Sequence, residues 1–354
     1  MQQIIKPEMI GPCLGPSMSI DCLAAKLVGM PEPKYIYRGI PEQSLGVFFG
    51  PSKTGKTTLV ESLALSIVSG QSTFLGDTIS YNSKRVLLIS CEEFFRNRTT
   101  RNKKQIQYFN ERYSTVENWT ENLCVVDDTF PRYFITEEHW KLLELEIERI
   151  QPSLVMIDSL TRLSVDPIED STVATKLMKR LREITHKHGI ALILIHHTQK
   201  MDNKPITIAS LAGSRVIGQE MDFMVGVNRT TNNIRYLKDV AYRYAADDAE
   251  QVLKFTINDS QVVEALEYAT ENEILLRGGG ITDLNDSDTL VLNYITQVSN
   301  GNFSVIIKTS DFYTNLVENG LTTKPTLHAA LNRLEQSGII KKPEKGLYQL
   351  SPSS

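Results

Sequence analysis

The chain has 354 residues, of which 41 % are hydrophobic and 23 % charged, with a formal net charge of −4. That length exceeds one average domain and suffices for a packed core, and the acidic balance excludes a protein that coats nucleic acid by bulk charge. Any such binding has to use a local basic patch. The four cysteines, Cys13, Cys22, Cys91 and Cys124, show neither C-x-x-C pairing nor histidines at zinc spacing, and read as reduced, mostly structural thiols of a cytosolic protein. No basic segment precedes an apolar one at the N-terminus, and the longest apolar run, Ile190 to Ile195, is too short to span a bilayer, so a soluble cytoplasmic protein is expected.

Residues 1–34 carry Pro7, Pro12, Pro16, Pro31 and Pro33 around one short helix at Ser19 to Val28. They read as an N-terminal extension, either an arm on a neighbouring subunit or a disordered leader. Tyr35 to Pro41 leads into a first core strand, Gly46 to Phe49, and the next stretch, Gly50, Pro51, Ser52, Lys53, Thr54, Gly55, Lys56, Thr57 and Thr58, fits G-x-x-x-x-G-K-[ST]. A helix from Thr58 to Ser69 follows, with Leu59, Leu63 and Ile67 at helical spacing and Gly70 behind it. A buried strand before and a helix after are the setting a phosphate loop needs. Its glycines let successive N–H groups and the helix dipole aim at phosphates. Lys56 is then expected at the β- and γ-phosphates of a nucleoside triphosphate, and the Thr57 hydroxyl on Mg²⁺.

Arg85 to Ser90 reads as a buried strand running into Cys91, Glu92 and Glu93, two carboxylates at the strand end where doubly wound sheets keep their chemistry. The basic cluster Arg96, Arg98, Arg101, Lys103 and Lys104 reads as a solvated helix face, with phosphate contact as the alternative. Leu123 to Val126 is a short strand, and Glu137 to Ile150 a helix with Leu142, Leu143, Ile147 and Ile150 on one side. Ser153 to Ser159 is an apolar strand with Asp158 at its tip, placed to hold the Mg²⁺ shell beside Thr57. Because Ser159 and no glutamate follows Asp158, the group that orients water must come from another strand, which nominates Glu92 with Glu93 in reserve. A helix from Asp170 to His188 and a strand from Ile190 to Ile195 lead to His196, His197, Thr198, Gln199 and Lys200, a polar tip suited to sensing the γ-phosphate. Metal binding by these histidines is the weaker reading, since no third ligand is near in sequence.

Loop, glutamates, Leu-Val-Met-Ile-Asp-Ser and Ile-His-His-Thr-Gln-Lys, taken in this order, resemble the RecA-like ATPases of the RepA/DnaB hexameric helicase group over about residues 35–265. The resemblance implies an α/β fold with a mostly parallel sheet flanked by helices. It implies Lys56, Thr57 and Asp158 on the phosphates and Mg²⁺ of ATP, Glu92 as base, and His197 with His196 as sensor. Residues Lys200 to Ala212, including Lys204, occupy the position of the loop that grips single-stranded DNA. A neighbouring subunit is expected to supply a Lys and an Arg. Lys238 and Arg243 fill that role at a wider spacing than the family pattern, which leaves the finger open between Arg243, Arg235 and Arg229. Guanine specificity lacks its Asn-Lys-x-Asp, since Asn102-Lys103-Lys104-Gln105 has no Asp, and adenine is expected.

After the ATPase domain, residues 35–266, a Gly-rich linker spans 267–287 and a module spans 288–354. Helices at Thr289 to Val298, Thr309 to Glu318 and Thr323 to Ser337, then a hairpin pairing Ile339-Ile340 with Tyr348 to Leu350, resemble a winged helix-turn-helix. It would offer Lys324, His328, Arg333, Lys341, Lys342 and Lys345 to duplex DNA, or serve as a protein docking module instead. The expected activity is ATP-driven movement on single-stranded DNA by a homo-oligomer, a hexamer by resemblance, serving as a helicase of a plasmid, phage or mobile element. The alternatives are a recombination or loading ATPase that does not unwind, and a DNA-bound regulator that uses ATP as a switch.

Overall fold

The computed structural model describes residues 17–30, 34–80, 84–198, 201, 204–213, 215–230, 233–244, 251–277, 286–299, 302–336 and 338–351. Met1–Lys34 form one compact unit and Tyr35–Ser354 a second. In the first, helix α1 (Ile20–Leu27) starts at Ser19, whose hydroxyl accepts from the Cys22 amide. Cys22 is disulfide-bonded, which corrects the expectation of four reduced thiols. Spacing along the sequence does not reveal which sulfurs the chain path brings within bridging distance.

The second unit begins with a small hairpin, β1 (Tyr35–Tyr37) and β2 (Ile40–Pro41), followed by β3 (Leu45–Gly50) and α2 (Lys56–Val68). A second hairpin, β4 (Thr73–Phe74) and β5 (Asp77–Thr78), precedes β6 (Val86–Ser90), α3 (Phe95–Arg112), β7 (Leu123–Val125) and α4 (Glu137–Ile150). Then come β8 (Leu154–Asp158), α5 (Ser171–His188), β9 (Ala191–His197), α6 (Arg215–Glu220) and β10 (Phe223–Arg229). The antiparallel strands β11 (Arg235–Tyr242), β12 (Gln251–Ile257) and β13 (Val263–Thr270) complete the sheet, and α7 (Glu271–Arg277) follows.

The sheet order is β13-β12-β11-β10-β3-β9-β8-β6-β7. From β10 to β7 every pairing is parallel, and crossover helices cover both faces. Strands buried on both faces lose period-two alternation and read as continuous apolar runs. Val47 and Phe49 accordingly pack with Leu143 and Leu181 on one face, while Phe48 and Leu88 pack with Leu59 and Leu63 of α2 on the other. In-register parallel strands also end together, so the tips of β3, β6, β8 and β9 share one edge. Gly50 sits at that edge, where a Cβ would lie 1.9 Å from the Val227 carbonyl oxygen, and the residue therefore has to be glycine.

The core runs past the boundary read from the sequence at 266. β13 extends to Thr270, and Glu271, Ile274 and Leu275 of α7 are buried, so the linker beginning at 267 is corrected at its start. The Arg277 to Gly280 turn signal outweighs this short helix in the sequence; Gly278, Gly279 and Gly280 lie outside the described residues. The C-terminal elements are α8 (Asp286–Ser299), β14 (Ile307–Lys308), α9 (Thr309–Phe312) continued by a π-helical turn over Tyr313–Val317, α10 (Lys324–Gln336), β15 (Ile340–Glu344) and β16 (Leu347–Leu350). They enclose a core of their own, with Val291, Ile295, Phe312, Leu327, Leu331 and Tyr348 among its members. The sheet order here is β14-β16-β15, and β14 is too short to leave a periodic signal in sequence.

Close packing of β3 on β10 is directly testable. A Cβ on Gly46 would stand 2.4 Å from the fully buried Phe223 ring. Gly46→Ala is expected to cost about 1–3 kcal/mol, read as a lower Tm in thermal unfolding. A wild-type Tm would contradict the tight β3–β10 contact.

Candidate nucleotide site

The loop between β3 and α2 is built for close backbone approach, with Gly50, Lys53 and Gly55 all at positive φ. Ser52 and Lys53 are exposed, and the Thr54 hydroxyl donates to the Pro51 carbonyl at 3.0 Å, closing the turn from inside. Lys56, the first residue of α2, is 3 % exposed, and its Nζ donates to the carbonyls of Gly50 (2.9 Å) and Pro51 (2.7 Å). Burial pulls its pKa down to about 8, against the opposing charges of Asp158 and Glu92. Thr57 Oγ1 donates to Asp158 Oδ2 at 2.6 Å, joining α2 to the tip of β8, and Thr58 is half-buried in the first turn behind it.

Asp158 is 9 % exposed, and its other carboxylate oxygen, Oδ1, is buried without a hydrogen-bond partner. Burial raises its pKa, with the Thr57 hydrogen bond opposing. A carboxylate in that state beside a threonine hydroxyl, a buried ammonium and a glycine-bounded loop fits a hard divalent cation with a polyphosphate. A cavity of about 20 Å³ lined by Thr57, Glu61, Arg98 and Asp158 lies behind it, large enough for one water.

Glu92, just beyond β6, converges on the same edge. Its Oε1 accepts from Ser159 Oγ at 2.5 Å, Oε2 lies 3.4 Å from His197 Nε2, and the Arg162 guanidinium is 3.7 Å away. The His197 hydrogen bond, opposed by burial and aided by Ser159, holds its pKa down to about 2. Glu92, Asp158 and His197 present one ligand atom each within 4.8 Å of one another. Ser159 and Arg162 are members of this site that sequence reasoning missed. The available signal was the position of the Ser159 hydroxyl, directly after a strand-tip aspartate.

Other nominated residues are placed differently. Glu93 has both carboxylate oxygens held by Arg101, whereas those of Glu92 meet Ser159 and His197. His196 faces the opposite side of β9 from His197 and pairs with the Ala212 carbonyl at 2.8 Å, because successive residues of a strand point to opposite faces. Burial lowers its pKa. Lys238 is not a free cation, since its Nζ meets Glu271 at 2.5 Å and the Ile206 carbonyl at 3.0 Å. Glu271 also accepts from the Ile206 amide and the Tyr236 hydroxyl. Arg243 follows the end of β11 that pairs with the start of β10, away from the phosphate loop of its own chain, where it donates to the Gln219 carbonyl at 3.0 Å. Arg235, at the other end of β11, has its Cδ 3.7 Å from where a Gly55 Cβ would stand.

Of the residues proposed to contact DNA, Lys200 lies outside the described residues. Lys204 is exposed, two residues before Ile206, which is 1 % exposed and pinned by Glu271 and Lys238. The described stretch from 204 to 212 is thus anchored at Ile206. In the C-terminal elements, Lys324 lies over the Tyr313 ring, Lys342 over the Tyr348 ring, and Lys341 is exposed. Arg333 stays exposed while its guanidinium also bonds Asp288, which is fully buried, with contacts of 2.7–3.1 Å. His328 bonds the Tyr313 hydroxyl at 2.6 Å.

A family profile described as an AAA domain, AAA_25, matches residues 22–203, more than half of the chain. The chain belongs to that family. It is a P-loop ATPase with a RecA-like α/β core. Among solved structures, a KaiC-like protein from the hyperthermophilic archaeon Pyrococcus horikoshii OT3 is similar at 14 % identity, with 64 % of this chain and 91 % of that one covered and a TM-score of 0.44. A second solved structure, described as an ATPase domain, is similar at 16 % identity, with 64 % of this chain and 86 % of that one covered and a TM-score of 0.47. No helix among the described residues is long and apolar enough to cross a membrane.

The lowered pKa of Lys56 gives this ATPase a testable proton linkage. Above pH about 8 the lysine is largely neutral, whereas a bound polyphosphate favours the ammonium form, so nucleotide binding there must take up a proton. Calorimetric binding of Mg·ATP above that pH, in buffers of different ionisation enthalpy, is expected to show proton uptake that Lys56→Met removes. Affinity should fall as pH rises through that value, and buffer-independent heats would contradict the assignment.

Proposed function

We propose that this ATPase is a motor on single-stranded DNA, with Lys56, Thr57 and Asp158 holding Mg·ATP and Glu92 orienting the attacking water. The observation that carries the reading is the convergence of four strand tips, which sets Lys56, Thr57, Glu92, Asp158 and His197 along one sheet edge. Mg²⁺ would neutralise phosphate charge; the chain's own part is to hold the nucleotide, exclude water and aim one water molecule. An ionised Glu92 suits orientation by charge and hydrogen bonding more than strong proton abstraction.

Two further features support a DNA partner. The segment from 204 to 212 meets His196 of the strand tip through the Ala212 carbonyl, so a change at the strand tip has a short path into that segment. The C-terminal elements have the helices and terminal hairpin of a winged helix, with Lys324, Lys341 and Lys342 toward solvent as a duplex-binding surface. The motor would act as a ring, a hexamer by family resemblance, in which Arg243, 47 % exposed at the edge away from its own loop, serves a neighbour's nucleotide. Helicase action in replication of a mobile element is the finer form of this reading.

One observation favours the alternative of an ATP-switched DNA-binding regulator. Glu92 is engaged at once by Ser159, His197 and Arg162, an arrangement suited to slow basal turnover. Steady-state hydrolysis with and without single-stranded DNA separates the two, with Lys56→Ala as the blank. The motor reading expects strong stimulation, and a fall of about 10²–10⁴-fold in Glu92→Gln with ATP binding kept. A slow rate indifferent to single strands would favour the regulator, and an unimpaired Glu92→Gln would remove Glu92 from its role.

A further inference from the structure

Helix α3 presents an unusual inward face. Arg98 is 2 % exposed, Asn102 7 % and Gln105 fully buried, and the Arg101 side chain is 17 % exposed, although the sequence there reads as a basic surface. Arg98 Nη2 donates to the Val126 carbonyl at 2.6 Å, Gln105 to the Gln261 carbonyl at 2.7 Å, and Tyr108 to Glu264 at 2.6 Å. The helix is therefore tied to the strand β7 side at its start and to the β12–β13 hairpin further along.

Arg101 sits between those ties and spends its guanidinium on two carboxylates. Nε and Nη2 donate to Glu61 at 2.6 and 2.7 Å, while Nη1 and Nη2 donate to Glu93 at 2.8 and 2.6 Å. Each carboxylate is gripped through both of its oxygens. Glu61 is 4 % exposed and lies one helical turn after Thr57 on α2; Glu93 is the residue next to Glu92. One planar group thus spans the distance from the phosphate-loop helix to the strand tip that carries Glu92. Only arginine offers two such forks, since a lysine ammonium is a point charge without a fixed plane.

We propose that Arg101 and Glu93 form a positioning brace that fixes Glu92 relative to the phosphate-loop helix, with Glu93 acting through Glu92 and not as a base. This rests on the reading of Glu92 as the residue that orients water. The backbone at Glu92 is then held from both sides: by Glu93 through Arg101 to α2, and by its own side chain through Ser159 to the tip of β8. Burial disfavours the charge on Arg101, yet its hydrogen bonds to Glu61 and Glu93 outweigh it and its pKa is raised, as expected of a closed ion network.

The test uses Glu93→Gln and Arg101→Lys in the full chain. Truncating Arg101 to alanine would strand the buried Glu61 and risk unfolding, whereas these two keep volume and, in the second case, charge. Both are expected to lower kcat by about 10- to 100-fold, the scale of a misplacement of about an ångström, with Mg·ATP affinity and Tm near wild type. In single-turnover hydrolysis the Glu93→Gln loss should vanish in a Glu92→Gln background, because a brace has nothing left to place. A wild-type kcat in Glu93→Gln, with Glu92→Gln crippled, would overturn the brace and leave Glu92 in its role. A loss that persists undiminished in the Glu92→Gln background would make Glu93 an independent base, and ATP affinity and Tm falling in step with kcat would reduce the network to structure. Full activity in Glu92→Gln would instead overturn the functional reading beneath it.

Discussion

The hydrogen bond from Thr57 to Asp158 joins the first turn of the phosphate-loop helix to a strand tip far away in sequence, and the rest of the site is arranged around it. It exists because parallel strands in register stop at a common edge, while each right-handed crossover returns the chain to that edge. Leu45 to Gly50 lies against Leu192 to His197, and Val86 to Ser90 against Leu154 to Asp158. Shifting one strand by two residues would keep the apolar faces buried but separate Asp158 from Thr57. Register, set by the packing of Phe48, Leu88 and Met156 on one face and Phe49, Ile89 and Ile157 on the other, is thus what places the chemistry.

Electrostatics then distinguish the charged groups at this edge. Lys56 and Asp158 are both buried beyond what an isolated charge tolerates, and each shifts toward its neutral form. Glu92 is exposed and supplied with donors, and shifts the other way. An edge where an ammonium and a carboxylate are poised together and a second carboxylate is kept ionised suits a ligand that brings both anionic phosphate and a cation. Away from it, the ion pairs serve anchoring: Lys238 with Glu271 pins Ile206, Arg333 with Asp288 ties α10 to α8, and Arg182 and Arg243 meet at Asp222 below β10.

Much of the core is legible in the sequence because its signals are local. The phosphate loop between strand and helix, the Asp158 strand tip and the helix at Glu137 to Ile150 each follow from a few consecutive residues or one period. What escapes depends on pairs distant in sequence. Arg98 and Arg101 read as a solvated face because hydrophobic periodicity counts every charge as outward, and only Glu61, forty residues earlier, gives Arg101 a reason to turn in. Lys238 reads as a ligand-binding cation for the same reason, its carboxylate partner being 33 residues away. His196 and His197 differ: the alternation of a strand already separates them, and treating them as one cluster overlooks it.

The most direct test of the account is the Mn²⁺ affinity of the ATP-bound protein, followed by electron paramagnetic resonance, in the wild type, Thr57→Ala and Asp158→Asn. If these two residues hold the metal on the nucleotide, each substitution should weaken Mn²⁺ retention by about 10- to 100-fold while metal-free nucleotide still binds. Unchanged Mn²⁺ affinity in both variants would contradict the assignment of this edge as the metal and phosphate site.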